Sequence, residues 1–261
     1  MKSLNAVLTV VLLTCLLSCQ KGDTGPAGNN GTNGTNGLPG PAYVGSINGH
    51  ISLFDQYGSK VLIGLTGIQV SISSNPIRTV TTDANGYYSF DSVITGLYTL
   101  TAHDTNSGIV YGDSKFQDLQ LIRDTLSRDI KLSATANFAP LTFTASSVTA
   151  ALYDTLTFTF AADTRARSIM IFVNGNSTVN SNPANYLLSY SKAINANATS
   201  VVFYVPAGDL YNIGFTSGST AYYAVYGSPV SNNSIYEDFS NGKLIYNSLS
   251  TISLSASCIV P

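Results

Sequence analysis

The chain has 261 residues, a formal net charge of −2 and charged side chains at only 10% of positions. That balance excludes the basic surface that a nucleic-acid partner requires and gives no pull toward strongly charged partners of either sign. Serine, threonine, asparagine, glycine and 16 tyrosines carry the polarity instead, and with abundant β-branched and aromatic residues the composition favours strands over helices.

Met1-Lys2 supplies a positive charge, and the run from Ala6 to Leu17 is apolar, broken only by Thr9, Thr14 and Cys15. At about a dozen residues it falls short of the roughly 20 that a membrane-crossing helix needs. A basic start, a short apolar stretch and a small residue before a cut describe a secretory signal peptide. Leu16-Leu17-Ser18-Cys19 resembles the bacterial lipobox. The resemblance implies a lipoprotein signal peptide over residues 1–18, a lipid on Cys19 and the membrane as partner, each buried CH₂ contributing about 0.8 kcal/mol. Gln20, by its likeness to other lipoproteins, points to the outer membrane.

Glycine then recurs at Gly22, Gly25, Gly28, Gly31, Gly34, Gly37 and Gly40. This is the Gly-X-Y period of collagen, where only glycine fits the crowded axis. The run is short and only Pro26, Pro39 and Pro41 stiffen it. Residues 19–42 therefore read as a collagen-like tether, reaching about 65 Å at ~3.1 Å per residue, and the chain is expected to be a monomer and not a trimeric stalk.

From residue 43 to 138, period-2 alternation and turn signals recur. Ile47, Gly49, Ile51 and Leu53 share one face of a first strand, and His50 lies on the other. Ile68, Val70 and Ile72 alternate with polar residues. Asp83-Ala84-Asn85-Gly86 is a tight hairpin connection, and its spacing lacks the further acidic ligands of a calcium loop. Tyr88 and Phe90, then Tyr98, Leu100 and Ala102, continue the alternation, and strands over 116–121 and 125–132 complete about seven, which spells a sandwich. The runs Gly67-Ile68-Gln69-Val70, Thr81-Thr82-Asp83-Ala84-Asn85-Gly86-Tyr87-Tyr88-Ser89-Phe90 and Gly96-Leu97-Tyr98-Thr99-Leu100-Thr101-Ala102 resemble the carboxypeptidase regulatory-like domain. That resemblance implies a transthyretin-like β-sandwich used as an accessory module, in some relatives for starch binding.

Asn137-Phe138-Ala139-Pro140 marks the boundary of a second domain, residues 139–261. Alternation predicts strands through Leu156, Phe158 and Phe160; Ile169, Ile171 and Val173; Val201, Phe203 and Val205; Tyr211, Ile213 and Phe215; Tyr222 to Tyr226; 243–246; and 252–259. Asn174-Gly175 reads as a hairpin turn. The expected fold class is all-β: two β-sandwiches, transthyretin-like and then immunoglobulin- or fibronectin-like, after the signal peptide and Gly-rich tether.

Catalysis needs positioned acid–base or nucleophilic groups, and the chain offers few. His50 and His103 are the only histidines, and Glu237 is the only glutamate. His103-Asp104 reads as a solvated strand end, and Glu237-Asp238 would point to opposite faces of a strand. With Cys15 in the signal and Cys19 lipidated, Cys258 stands alone, leaving no internal disulfide; it is expected to pack in the last strand. No enzymatic site, metal or cofactor is expected. The candidate ligand platform is Tyr222, Tyr223 and Tyr226, with Tyr223 expected outward and Tyr211 inward. The expected function is a non-enzymatic cell-envelope lipoprotein that displays its sandwiches for adhesion or scaffolding, with a glycan or an envelope protein as partner. The alternative is a carbohydrate-binding accessory protein of a polysaccharide uptake system.

Overall fold

The computed structural model describes residues 43–104 and 108–261, together with Thr24, Gly25 and Gly28. The expected signal peptide, Cys19 and nearly all of the tether lie outside the described residues. Contacts gather Ala42–Pro261 into one unit, and within it the strands wrap two separate principal cores.

The first core is built by β1 (Val44–Phe54), β2 (Lys60–Val61), β3 (Gln69–Ile72), β4 (Arg78–Thr81), β5 (Tyr87–Ile94), β6 (Gly96–His103), β7 (Ser114–Leu121), β8 (Asp124–Ser127) and β9 (Ile130–Ser133). β1 pairs with β2 and β5 on antiparallel ladders, while β8 and β9 pair with β1 in parallel; the order β4-β3-β6-β7 forms the facing sheet. Ile47, Ile51, Leu53, Val70, Ile72, Tyr88, Phe90, Leu100 and Ala102 fill the space between, as the alternation predicts. The strand expected over 125–132 is two strands, interrupted at Arg128-Asp129. There the Tyr88 hydroxyl donates to the Arg128 carbonyl. Gly49 is required at this point, because a Cβ on it would sit 2.0 Å from the same carbonyl oxygen.

The β4–β5 turn follows its sequence signature. Asp83 Oδ1 accepts from the backbone N–H of Asn85 and Tyr87, each at 2.8 Å, and Gly86 supplies φ +77°.

The second half contains β10 (Thr142–Val148), β11 (Tyr153–Thr159), β12 (Arg167–Asn174), β13 (Leu188–Ile194), β14 (Ser200–Pro206), α1 (Ala207–Asn212), β15 (Thr220–Ser228), β16 (Ile235–Asp238), β17 (Lys243–Tyr246) and β18 (Ser253–Ile259). Sheet β10-β11-β14 faces sheet β13-β12-β15-β18 across Leu156, Phe158, Ile169, Ile171, Val205, Tyr223 and Val225. The fold is all-β, two β-sandwiches.

Three local expectations are corrected. Residues 211–215 are not a strand: α1 starts after Pro206, carries Asp209 in its first turn and buries Leu210, and Gly214 at φ +98° ends the segment. The i, i+2 spacing of Tyr211, Ile213 and Phe215 mimicked a strand. Tyr211 is consequently on the surface, donating to the Pro261 carbonyl, and not in the core. Asn174-Gly175 is not a tight hairpin either. The Asn174 side chain donates to the Asn185 carbonyl at 2.9 Å and accepts from the Gly175 N–H at 2.7 Å, opening a long excursion that returns only at β13.

Side chains join the two halves along a serine-rich seam. The Val230 N–H donates to the Gln56 carbonyl at 3.0 Å, while the Gln56 side chain clasps Asn137 at the end of the first half, its Nε2 donating to Asn137 Oδ1 at 2.6 Å and its Oε1 accepting from the Asn137 N–H at 2.8 Å. The Ser234 hydroxyl accepts from the Ser133 N–H at 3.1 Å and donates to the Gly112 carbonyl at 2.7 Å. Asn247 Nδ2 donates to the Asp113 carbonyl at 3.1 Å. Tyr57 donates to Asp163 at 3.0 Å while Arg165 lies 3.4 Å over its ring.

Candidate ligand-binding face

β12 is buried along its whole length, on both faces. Ile169, Ile171 and Val173 point into the sandwich. Met170 and Phe172 point the other way, into a third, smaller core with Val179, Tyr186, Ala224 and Leu249, flanked by Tyr222, Tyr226 and Tyr246. The cover is the 175–187 excursion and the β16–β17 hairpin. Phe172 is the hub: the rings of Tyr186, Tyr226 and Tyr246 lie 5.0, 5.7 and 5.4 Å from it, the last two edge-on.

Hydrogen bonds tie the two parts of the cover to each other and to β13. The Tyr186 hydroxyl donates to the Leu244 carbonyl at 2.7 Å, and Tyr246 and Ser189 share one at 3.0 Å. Lys243 Nζ donates to the Pro183 and Tyr186 carbonyls and sits 5.2 Å over the Tyr186 ring. Burial, then the neighbouring Tyr246, pushes the Tyr186 phenol up to about 12.

Beside this cluster runs a cleft of about 700 Å³ lined by Asn180, Asn182, Tyr226, Asp238, Tyr246 and Asn247, among others. Part of its polarity is committed to its own loops. Asp238 accepts from the Ser240 N–H and hydroxyl and from Asn241, which lowers its carboxyl below the usual range. Asn182 Oδ1 caps the short 3₁₀ turn by accepting from the Ala184 N–H. The half-buried Tyr226 presents one ring edge to Phe172 and makes no hydrogen bond through its hydroxyl among the described residues. An aromatic body beside amide groups and an uncommitted hydroxyl can take a polyhydroxylated ligand.

The three tyrosines of the expected platform do not form one surface. Tyr223 is fully buried, with Ala221 and Val225 on the inner face of β15; its expected exposure is corrected. Tyr222 and Tyr226 share the other face but stand four residues apart, about 13 Å along a strand. Tyr222 lines a separate depression of about 430 Å³ with Gly175, Leu187, Ile213 and Phe215. Alternation could not say which phase was inward, because both faces of this strand are covered.

Tyr223 instead closes a polar contact across the sandwich. Its hydroxyl donates to Oδ2 of the fully buried Asp154 on β11 at 2.6 Å. Asp154 Oδ1 makes no full hydrogen bond among the described residues and has the Cys258 thiol for a neighbour. Burial raises the Asp154 carboxyl, with Tyr223 and Cys258 working against the rise. Burial also pushes the Cys258 thiol well up, helped by Asp154. A protonated thiol packed in β18 is a poor nucleophile.

The histidines sit at the surface. His50 is near Asp129 at 3.9 Å, and His103 pairs with Asp113, a partner that its sequence neighbour Asp104 did not suggest. Among the described residues, no three His, Cys, Asp or Glu side chains are grouped to hold a metal ion.

The family model for the second β-sandwich domain of NOMO1-like subunits of the BOS complex matches residues 46–117, most of the first sandwich. No curated protein matches the chain. Among solved structures, the chain is similar to a candidate carbohydrate-binding protein from Bacteroides uniformis ATCC 8492, with 16% identity, 83% of this chain and 99% of that one covered, and a TM-score of 0.30. A DUF3823 family protein from Parabacteroides merdae ATCC 43184 gives 16%, 80%, 98% and 0.26 on the same measures. The full-length major pilin SpaD from Corynebacterium diphtheriae gives 14%, 82%, 64% and 0.29. Likenesses at this level fix neither ligand nor activity.

Proposed function

We propose that this chain is a non-enzymatic lipoprotein of the cell envelope, held by a lipid on Cys19, spaced outward by residues 20–42, and displaying its two β-sandwiches for adhesion or scaffolding. In this reading the first sandwich serves as a carboxypeptidase regulatory-like accessory module. The observation that carries the proposal is the seam. Ser133–Ser234–Gly112, Asp113–Asn247 and Tyr57–Asp163 join the halves through buried and half-buried side chains, with Arg165 bonding to Tyr57 at the surface. A body joined in this way presents its surfaces in a fixed orientation and resists being pulled apart, as adhesion and scaffolding both require. NMR relaxation on residues 43–261 tests it. One tumbling time for both sandwiches supports fixed display; two distinct times contradict it.

The cleft beside Phe172 favours a second reading, glycan binding by the same anchored body. Tyr226, Tyr246, Asn182 and Asn247 offer aromatic surface and amide groups on one wall system. Retardation of the chain in gels containing starch, mannan or xylan, relieved by Tyr226→Ala, supports this reading; unretarded migration in all of them removes it.

A further inference from the structure

β14 ends its sheet. It pairs with β11 in an unbroken register, from Tyr153 opposite Pro206 to Thr159 opposite Ser200, and no strand pairs with its other side among the described residues. The bonding pattern shows which backbone groups are left over. The Phe160 N–H donates to the Thr199 carbonyl and the Ala207 N–H to the Leu152 carbonyl, each at 2.9 Å. The odd-numbered residues of this segment therefore face β11, and in an antiparallel ladder the alternate residues face away. Ser200, Val202 and Tyr204 turn both N–H and C=O to the open edge, and Pro206 turns its carbonyl there. Edge strands are ordinarily defended by charge, a bulge or a cover. Every other edge strand of the two sandwiches, β10 and β18 apart, carries a charged side chain, such as Lys60 on β2, Arg78 on β4, Lys115 on β7 and Lys192 on β13. β10 and β18 lie alongside each other. β14 has none of these defences along its length. Its sequence, Ser-Val-Val-Phe-Tyr-Val-Pro, is uncharged and rich in strand formers. Val202 and Tyr204 are 40% and 55% exposed on its outer face.

We infer that β14 is a dimerisation edge, pairing antiparallel with the β14 of a second copy about a twofold axis at Phe203. The segment is self-complementary in that register. Val202 and the partner's Tyr204 exchange N–H and C=O bonds, Tyr204 and the partner's Val202 do the same, and each Ser200 N–H donates to the Pro206 carbonyl opposite. The one residue without an N–H, Pro206, falls at the end of the ladder. On the outer face each Tyr204 ring lies across from a Val202, an aromatic–β-branched pair of the kind that stabilises sheets. On the inner face Val201 meets the partner's Val205. No like charges oppose one another, which favours an identical strand over a charged partner. A strand of seven residues makes a small interface, so the pairing depends on concentration. It joins two three-stranded sheets into one continuous sheet, a closed, isologous dimer. Such a dimer differs from a trimeric stalk built on the glycine repeat, and it replaces the monomer expected from the sequence.

The test is sedimentation velocity on the chain from residue 20 onward, which holds every described strand and lacks Cys19, from micromolar toward millimolar concentration. A monomer–dimer equilibrium is expected. Val202→Lys/Tyr204→Lys sets lysine against lysine across the axis and should weaken the dimer about tenfold. Val202→Lys/Tyr204→Glu sets lysine against glutamate in this antiparallel register and should return most of the dimer. Both positions are exposed, so the variants should melt with the wild type. A second readout needs no variant: amide exchange at Val202 and Tyr204 should slow as concentration rises, while exchange on the β13 edge stays constant. A chain that stays monomeric throughout, exchange at Val202 and Tyr204 that ignores concentration, or a dimer indifferent to the lysine pair overturns the inference. So does a lysine–glutamate variant that dimerises no better than the lysine–lysine one.

Discussion

Tyr223 and Asp154 meet at the centre of the second sandwich, the phenol of β15 donating a 2.6 Å hydrogen bond to a carboxylate of β11 that has no access to water. The contact links the two sheets through their core, and one side of it is a group whose charge is disfavoured by burial. Tyr223→Phe removes the one full hydrogen bond that the Asp154 carboxyl makes among the described residues. A loss of about 1–3 kcal/mol is expected, read from the urea midpoint.

Asp154 also gives the fold a pH signature. Its folded carboxyl is raised above the unfolded value of 3.8, chiefly by burial. The folded state therefore holds the proton more tightly, and this group's stabilisation is complete below 3.8 and lost as pH rises through the folded value. Asp163 and Asp238 act in the opposite sense, because their hydrogen bonds lower them. The readout is thus the difference between proteins. The melting temperature of Asp154→Asn minus that of the wild type should grow as pH rises from about 4; a constant difference contradicts the assignment.

The seam predicts shared unfolding. Ser234→Ala strips a partner from both the Ser133 N–H and the Gly112 carbonyl, at an expected cost of about 1–3 kcal/mol. Combined with Tyr57→Ala, which removes the bond to Asp163 and the ring under Arg165, it should split a single calorimetric transition into two. A double variant that still melts in one transition would show that the halves are coupled by something other than these side chains.

Phe172→Ala deletes the hub of the outer aromatic cluster and should cost about 3–5 kcal/mol, despite lying on the face of the sheet turned away from the main core. Tyr226→Ala, at the edge of the same cluster, keeps the fold and removes the aromatic wall of the cleft. Stability within about 1 kcal/mol of wild type together with loss of glycan retardation is the expected pair of results.

Legibility in the sequence followed physical cause. Strands with one face in a core and one in solvent, such as β1 and β3, were readable from alternation because the two faces need different chemistry. β12 and β15 are covered on both faces, so the alternation that marked Tyr222, Tyr223 and Tyr226 carried no information about direction. α1 was missed because six residues are too few to establish a helical period. Ser133, Ser234 and Ser248 are buried, yet small hydroxyls leave no pattern, and their partners lie about a hundred residues away or in turns. The cleft escaped for the same reason: Asn182, Tyr226, Asp238 and Asn247 come from four separate segments, and no local spacing connects them.

The measurement that most directly tests the anchored-display account is the intact mass and membrane partitioning of the full-length product, compared with Cys19→Ala. The account predicts a wild-type chain that begins at residue 19, carries acyl mass and sediments with membranes, and a variant that lacks that mass and loses its firm attachment. An unmodified Cys19, or a Cys19→Ala variant with unchanged mass and partitioning, would contradict it.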